Sequence, residues 1–122
     1  MSFASDPGFV SRSRRITAAS LRHWKVPTAI IDDAVLIVSE LVTNAIEHGG
    51  RDTVLRIRLQ GDDLCIEVAD GKQTPAVLQT PTEDSESGRG LFLVALLTDQ
   101  WGTSDGGATT WCTLRIPPGS TS

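Results

Sequence analysis

A chain of 122 residues, 39% of them hydrophobic, is long enough to bury one core and short for two, so a single domain over 1–122 is predicted, with its core at about 9–116. Fifteen acidic residues against eleven Lys and Arg leave a net charge of −4, which repels a phosphate backbone and argues against nucleic acid as a direct partner. Neither a basic, apolar leader pattern nor a run long enough to span a bilayer is present, so the expected location is the cytoplasm, away from the membrane.

In chain order, a first helix is predicted from about Pro7 to Trp24, with Val10, Ile16 and Leu21 on its apolar side and Arg12, Arg14, Arg15 and Arg22 on the polar one. A second is predicted from Thr28 to His48, since Pro27 suits a first turn, Asp32 and Asp33 favour the N-terminal half, and Gly49-Gly50 supplies the stop. Ile30, Ala34, Ile37, Val38, Leu41 and Ala45 form one stripe at helical spacing. Ile31, Val35, Val42 and Ile46 widen that stripe until most of the circumference is buried, and Asp33, Glu40, Asn44 and Glu47 line the polar strip left over.

Strand formers at Val54, Ile57 and Leu59, a turn at Gly61-Asp62-Asp63 and a second run at Leu64–Val68 read as a hairpin. A polar segment at about 72–87 has the composition of a lid, and an apolar helix, Leu91–Leu97, is expected to follow, entered through a turn at Gly88-Arg89-Gly90. Two strands, near Asp99–Thr103 and Thr109–Ile116, end the pattern before a tail at 117–122 with a disordered composition. A strand ahead of the first helix is reduced to Met1–Ser5.

This order predicts a two-layer α/β sandwich: a mixed, mostly antiparallel sheet covered on one face by about three helices. The absence of βαβ alternation and of a Gly-rich loop followed by Lys and Ser or Thr excludes Rossmann and P-loop nucleotide sites. Cys65 and Cys112 stand alone in strand-like runs and read as buried, reduced thiols, and Trp24, Trp101 and Trp111 as packing residues.

Glu40 and Asn44 lie one turn apart on a helix otherwise built for burial. A carboxylate and a carboxamide so spaced can serve a hydroxyl nucleophile and a hard divalent cation, or can simply be a solvated helix face. Gly88-Arg89-Gly90 before a helix offers backbone amides to a phosphate, or merely turns the chain. Asp70-Gly71 ends a strand and by itself reads as a turn.

Taken in order, Ser39-Glu40-Leu41-Val42-Thr43-Asn44-Ala45-Ile46-Glu47-His48, Val68-Ala69-Asp70-Gly71, Gly88-Arg89-Gly90-Leu91-Phe92-Leu93-Val94 and Gly107-Ala108-Thr109-Thr110-Trp111 resemble the N, G1 and G2 boxes and last strand of the histidine-kinase-like ATPase superfamily, the Bergerat or GHKL fold. The resemblance covers roughly Arg14 to Ile116 and is specific as a set. Within the superfamily the pattern is most similar to the stand-alone serine kinases that act as anti-sigma factors. Ala108 stands where many relatives have Lys.

The resemblance implies ATP and Mg²⁺ as cofactors. It implies that Glu40 polarises the substrate hydroxyl, that Asn44 binds Mg²⁺, and that Asp70 accepts a hydrogen bond from the adenine amino group. By the same resemblance Gly71 admits the ring, Thr109 supports it, Gly88, Arg89 and Gly90 wrap the phosphates, and His48 and Leu91 complete the nucleotide contacts. The implied partners are an anti-sigma-factor antagonist, phosphorylated on serine, and a sigma factor held by the kinase when free, and the resemblance also makes a homodimer plausible. Two rival readings are a nucleotide-binding module that transfers no phosphate and a two-layer interaction domain that binds no nucleotide.

Overall fold

The computed structural model describes residues 2–4, 8–47, 52–69, 86–104 and 109–117. Among them the chain forms β1 (Ser2–Ala4), α1 (Gly8–His23), α2 (Thr28–Glu47), β2 (Asp52–Gln60), β3 (Asp63–Ala69), α3 (Glu86–Leu97), β4 (Gln100–Ser104) and β5 (Thr109–Arg115). The strands make one five-stranded sheet in the order β1-β2-β3-β5-β4. The reduced first strand is present, at the sheet edge beside β2. Of the proposed lid, residues 72–85 lie outside the described residues, whereas Glu86 and Ser87 belong to α3 and shorten it; most of the proposed tail also lies outside the described residues.

α1 ends in a six-residue backbone lock. Val26 N–H donates to the Leu21 carbonyl and Lys25 N–H to the Arg22 carbonyl, each at 3.0 Å, while Lys25 takes a left-handed φ of 61°. These paired bonds cap the last helical carbonyls, and the usual apolar contact accompanies them, with Val26 and Leu21 both buried. Glycine is the residue this conformation favours, so Lys25 is held there at a cost. Two residues on, the Pro27 carbonyl accepts from Ile30 and Ile31, both at 3.0 Å, and opens α2.

Of the predicted apolar side of α1, Leu21 is buried and Val10 packs against the core, but Ile16 does not. Ser13, Thr17 and Leu21, four residues apart in succession, are fully buried, whereas Ile16 is exposed. Small side chains at 13 and 17 keep the helix surface shallow where it packs along α2, and Ile16 falls a quarter-turn off that line. Neither the Ser13 nor the Thr17 hydroxyl has a hydrogen-bond partner among the described residues.

α2 is the centre of the helical layer, packing against α1, α3, β2 and β3. Its Ile31, Ala34, Ile37, Val38, Leu41, Val42 and Ala45 are buried and form the body of the core. That agrees with the predicted stripe.

β2 and β3 join through Gly61-Asp62. Gly61 has φ 60° and Asp62 a negative φ, the two-residue reversal whose twist matches that of the strands. Along β3, Leu64, Ile66 and Val68 face the helices. They align with Leu114 and Cys112 on one side and Leu55 on the other. On the opposite sheet face Arg56, Glu67, Trp111 and Gly102 stand in one row across four strands, and Arg58 pairs with Glu67.

Every described pairing is antiparallel, so the mixed sheet expected from the sequence is not seen. β3 and β4, joined through α3, do run in the same direction, but β5 inserts between them and removes the parallel pair. Trp101 packs against the core as expected. Trp111 instead covers Gly102 on the outer face, where a Cβ on residue 102 would sit 2.9 Å from the indole Cζ2. Trp24, 38% exposed at the end of α1, is not a core residue.

Candidate functional site

α2 carries Glu40 and Asn44 on the flank that begins beside buried Ile37 and turns toward solvent, and both are half-buried. The stripe explains the placement: with residues 34, 38, 41, 42 and 45 committed to the core, helical geometry leaves 40 and 44 at its margin. Both residues are engaged by neighbours, and the Asn44 carboxamide oxygen Oδ1 is buried. A carboxylate and an amide oxygen one turn apart are hard donors, the chemistry a Mg²⁺ ion accepts when phosphate oxygens complete its shell. The donor set therefore fits the implied cofactor.

Thr109 begins β5 and is buried, and its register partner on β3 is Ala69. It thus lies across the ladder from the residue that precedes Asp70. α2 touches both β3 and α3, so the helix bearing Glu40 and Asn44 bridges the strand leading into Asp70-Gly71 and the helix containing the glycine pair.

The expectation for Gly88-Arg89-Gly90 needs correction. α3 starts at Glu86, so these residues belong to the helix and not to a turn ahead of it. Two glycines cost about 1 kcal/mol each relative to alanine inside a helix. The apolar run Leu91–Leu97 that follows, with Val94 buried, outweighs that cost. The amides of the first four residues of a helix have no intrahelical acceptor. In α3 those are the amides of 86–89, which include Gly88 and Arg89 but not Gly90. Leu91 continues the same helix.

His48, Asp70 and Gly71 lie outside the described residues, as does Ala108. Among the described residues no group of three or more His, Cys, Asp or Glu gathers as a metal site, and no helix is long and apolar enough to cross a membrane. Sequence reasoning passed over Leu36, which is 39% exposed and stands four residues before Glu40. The signal was available: residue 36 points away from the stripe that accounts for the other aliphatic residues of α2.

No curated protein matches the chain. A family model described as "Histidine kinase-like ATPase domain" matches residues 3–116, a span that takes in all of α1 to β5 and the Glu40, Asn44 and Thr109 positions. With nearly the whole chain matched and the two-layer sandwich in place, this protein belongs to the histidine kinase-like ATPase domain family, an ATP-binding family.

Proposed function

We propose that this chain is an anti-sigma factor and Mg-ATP-dependent serine/threonine protein kinase that phosphorylates a small anti-sigma-factor antagonist in a partner-switching system. The observation that carries the reading is Glu40 and Asn44 set one turn apart at the margin of α2, in a chain matched to the ATPase family over 3–116. A carboxylate one turn before the amide supports this reading, because it is a group that can take the proton of an acceptor hydroxyl.

Bound Mg-ATP would supply the phosphoryl group and the cation that neutralises it. Glu40 would orient the acceptor hydroxyl and take its proton, which is the task a carboxylate can perform without forming a covalent bond. The Asn44 oxygen would hold the cation on the same flank. First-turn amides of α3 would donate to phosphate oxygens, where the helix dipole favours negative charge. Asp70, Gly71, His48 and Thr109 would frame the base and sugar, and the segment 72–85 would close over them. Phosphorylated antagonist would leave, and the free kinase would hold its sigma factor, as a homodimer in the cytoplasm.

Thermal denaturation with Mg-ATP and with Mg-ADP tests the nucleotide site. Wild type should melt higher with either, by about 2.7 kcal/mol of added stability at a hundredfold excess over Kd, and Asn44→Ala and Asp70→Asn should not. No shift in wild type at millimolar nucleotide would overturn the proposal. A second reading, a nucleotide-bound interaction module without transfer, draws on Ala108, which replaces a cation common in relatives. It predicts the same melting shifts but no phosphate on any partner, and Glu40→Gln then changes nothing.

A further inference from the structure

We infer that the row from exposed Asp32 and Leu36 to half-buried Glu40 on α2 is the docking strip for the phosphoacceptor segment, and that it selects an apolar side chain next to the hydroxyl with a basic side chain beyond it. The inference deepens the kinase reading and takes from it the identity of the group that meets Glu40.

Asp32, Leu36, Glu40 and Asn44 follow one another at four-residue spacing, so they form a single row along the helix surface. Asp32 is exposed, Asp33 beside it is half-buried, and Leu36 is 39% exposed although almost every other aliphatic residue of α2 is turned into the core. An isolated surface leucine needs no explanation. This one stands between the carboxylates of Asp32 and Asp33 and the residue that would receive the proton.

The charge around it is one-sided. Every charged residue of α2, namely Asp32, Asp33, Glu40 and Glu47, is acidic, and no Lys, Arg or His occurs between Thr28 and Glu47. A segment approaching along this helix meets only acidic side chains from α2 itself, the arginines Arg12, Arg14, Arg15 and Arg22 standing on the neighbouring α1, and this favours Lys or Arg over acidic neighbours. Charge complementarity thus names the occupant: a basic, apolar stretch of polypeptide carrying a serine or threonine. A nucleic acid or an acidic peptide would be repelled.

Helix and strand dimensions give the register. Four helical residues rise about 6 Å, and an extended chain advances about 3.3 Å per residue. With the acceptor hydroxyl at Glu40, the side chain over Leu36 belongs to the residue two positions away. The side chain facing Asp32 and Asp33 belongs to the residue about four positions away. Leucine gives this selectivity a sharp form, because a small or polar side chain at the first position leaves its surface wet.

The test uses fluorescein-labelled twelve-residue peptides with a central serine. One has leucine two positions and arginine four positions from the serine, a second has glutamate for the arginine, and a third has serine for the leucine. Anisotropy titrations in Mg-ADP use wild type, Leu36→Ser and the Asp32→Asn/Asp33→Asn double variant, and the same proteins are then given Mg-ATP to follow phosphate transfer. The Leu/Arg peptide should bind wild type best and lose about tenfold in affinity in each variant. The rise in melting temperature with Mg-ADP should be the same in all three proteins.

Equal binding to wild type and Leu36→Ser, or no binding of the Leu/Arg peptide to wild type, overturns the inference. So does a Leu36→Ser protein that binds peptide normally but changes from dimer to monomer in sedimentation, since a second copy would then cover the leucine. Binding with the predicted dependence but no phosphate transfer keeps the strip and removes the kinase reading. Transfer that ignores Leu36, Asp32 and Asp33 does the reverse.

Discussion

Cys112 faces the helices from β5, with Ile66 and Trp101 as its register partners, and is buried. Burial pushes its thiol from an ordinary 9.0 up to about 12; the neighbouring Cys65 adds to the rise and a hydrogen bond with the Ile66 backbone opposes it. Below pH 9 the folded and unfolded states both keep the proton and stability is unaffected. Above it the unfolded chain releases the proton while the folded one holds it, so stability is lost as pH climbs toward 12. The loss is about 1.4 kcal/mol per pH unit, or about 2 kcal/mol at pH 10.5. The sequence has no tyrosine, so no phenol titrates in the same window. Urea denaturation followed by tryptophan fluorescence at pH 8 and pH 10.5 should show wild type losing about 2 kcal/mol more than Cys112→Val. Equal losses in the two proteins would mean that the folded state does not hold this proton, and that the thiol is not sealed between β3 and β4.

Lys25→Gly should relieve the left-handed residue at the end of α1 and raise the melting temperature by about 3 °C, measured by circular dichroism, since about 1 kcal/mol of strain is removed and part is returned as chain entropy. Thr17→Val replaces a buried, unpartnered hydroxyl by a methyl of the same shape and should add about 1 kcal/mol in urea denaturation; a loss would mean that the hydroxyl is engaged. Gly102→Ala should cost about 1–3 kcal/mol and shift tryptophan emission, because the new Cβ meets the indole of Trp111 at 2.9 Å.

Those elements were readable where one physical signal was strong. The start of α2 followed from Pro27, and its buried stripe from helical spacing alone, which also isolated Glu40 and Asn44 as the residues the stripe does not need. The β2–β3 reversal was legible in Gly61-Asp62 because a positive φ is cheap for glycine. Legibility failed where two tendencies compete. Glycines at 88 and 90 read as a break, yet α3 absorbs them because packing of the following apolar run decides where a helix starts. Hydrophobicity placed Ile16, Trp24 and Trp111 indoors, but it carries no information on which side of an element is covered, and small polar Ser13 and Thr17 won the close seam with α2. Of the site, Thr109 owed its place to resemblance alone, and its register with Ala69 puts it in line with Trp111, on the sheet face away from the helices.

The seam between α1 and α2 has a consequence for cooperativity. α1 packs chiefly on α2, whereas α2 and α3 also reach the strands. The inner line of α1 holds two hydroxyls that gain nothing from burial, so its fully buried apolar anchor is Leu21, with Val26 beyond the helix end, helped by partly buried Phe9, Val10 and Ala18. A helix held in this way opens as a unit of its own, below the free energy of global unfolding. Its amides should exchange with solvent well before those of β3 and β5, and a partner that grips α1 would tighten the domain from its most loosely held side.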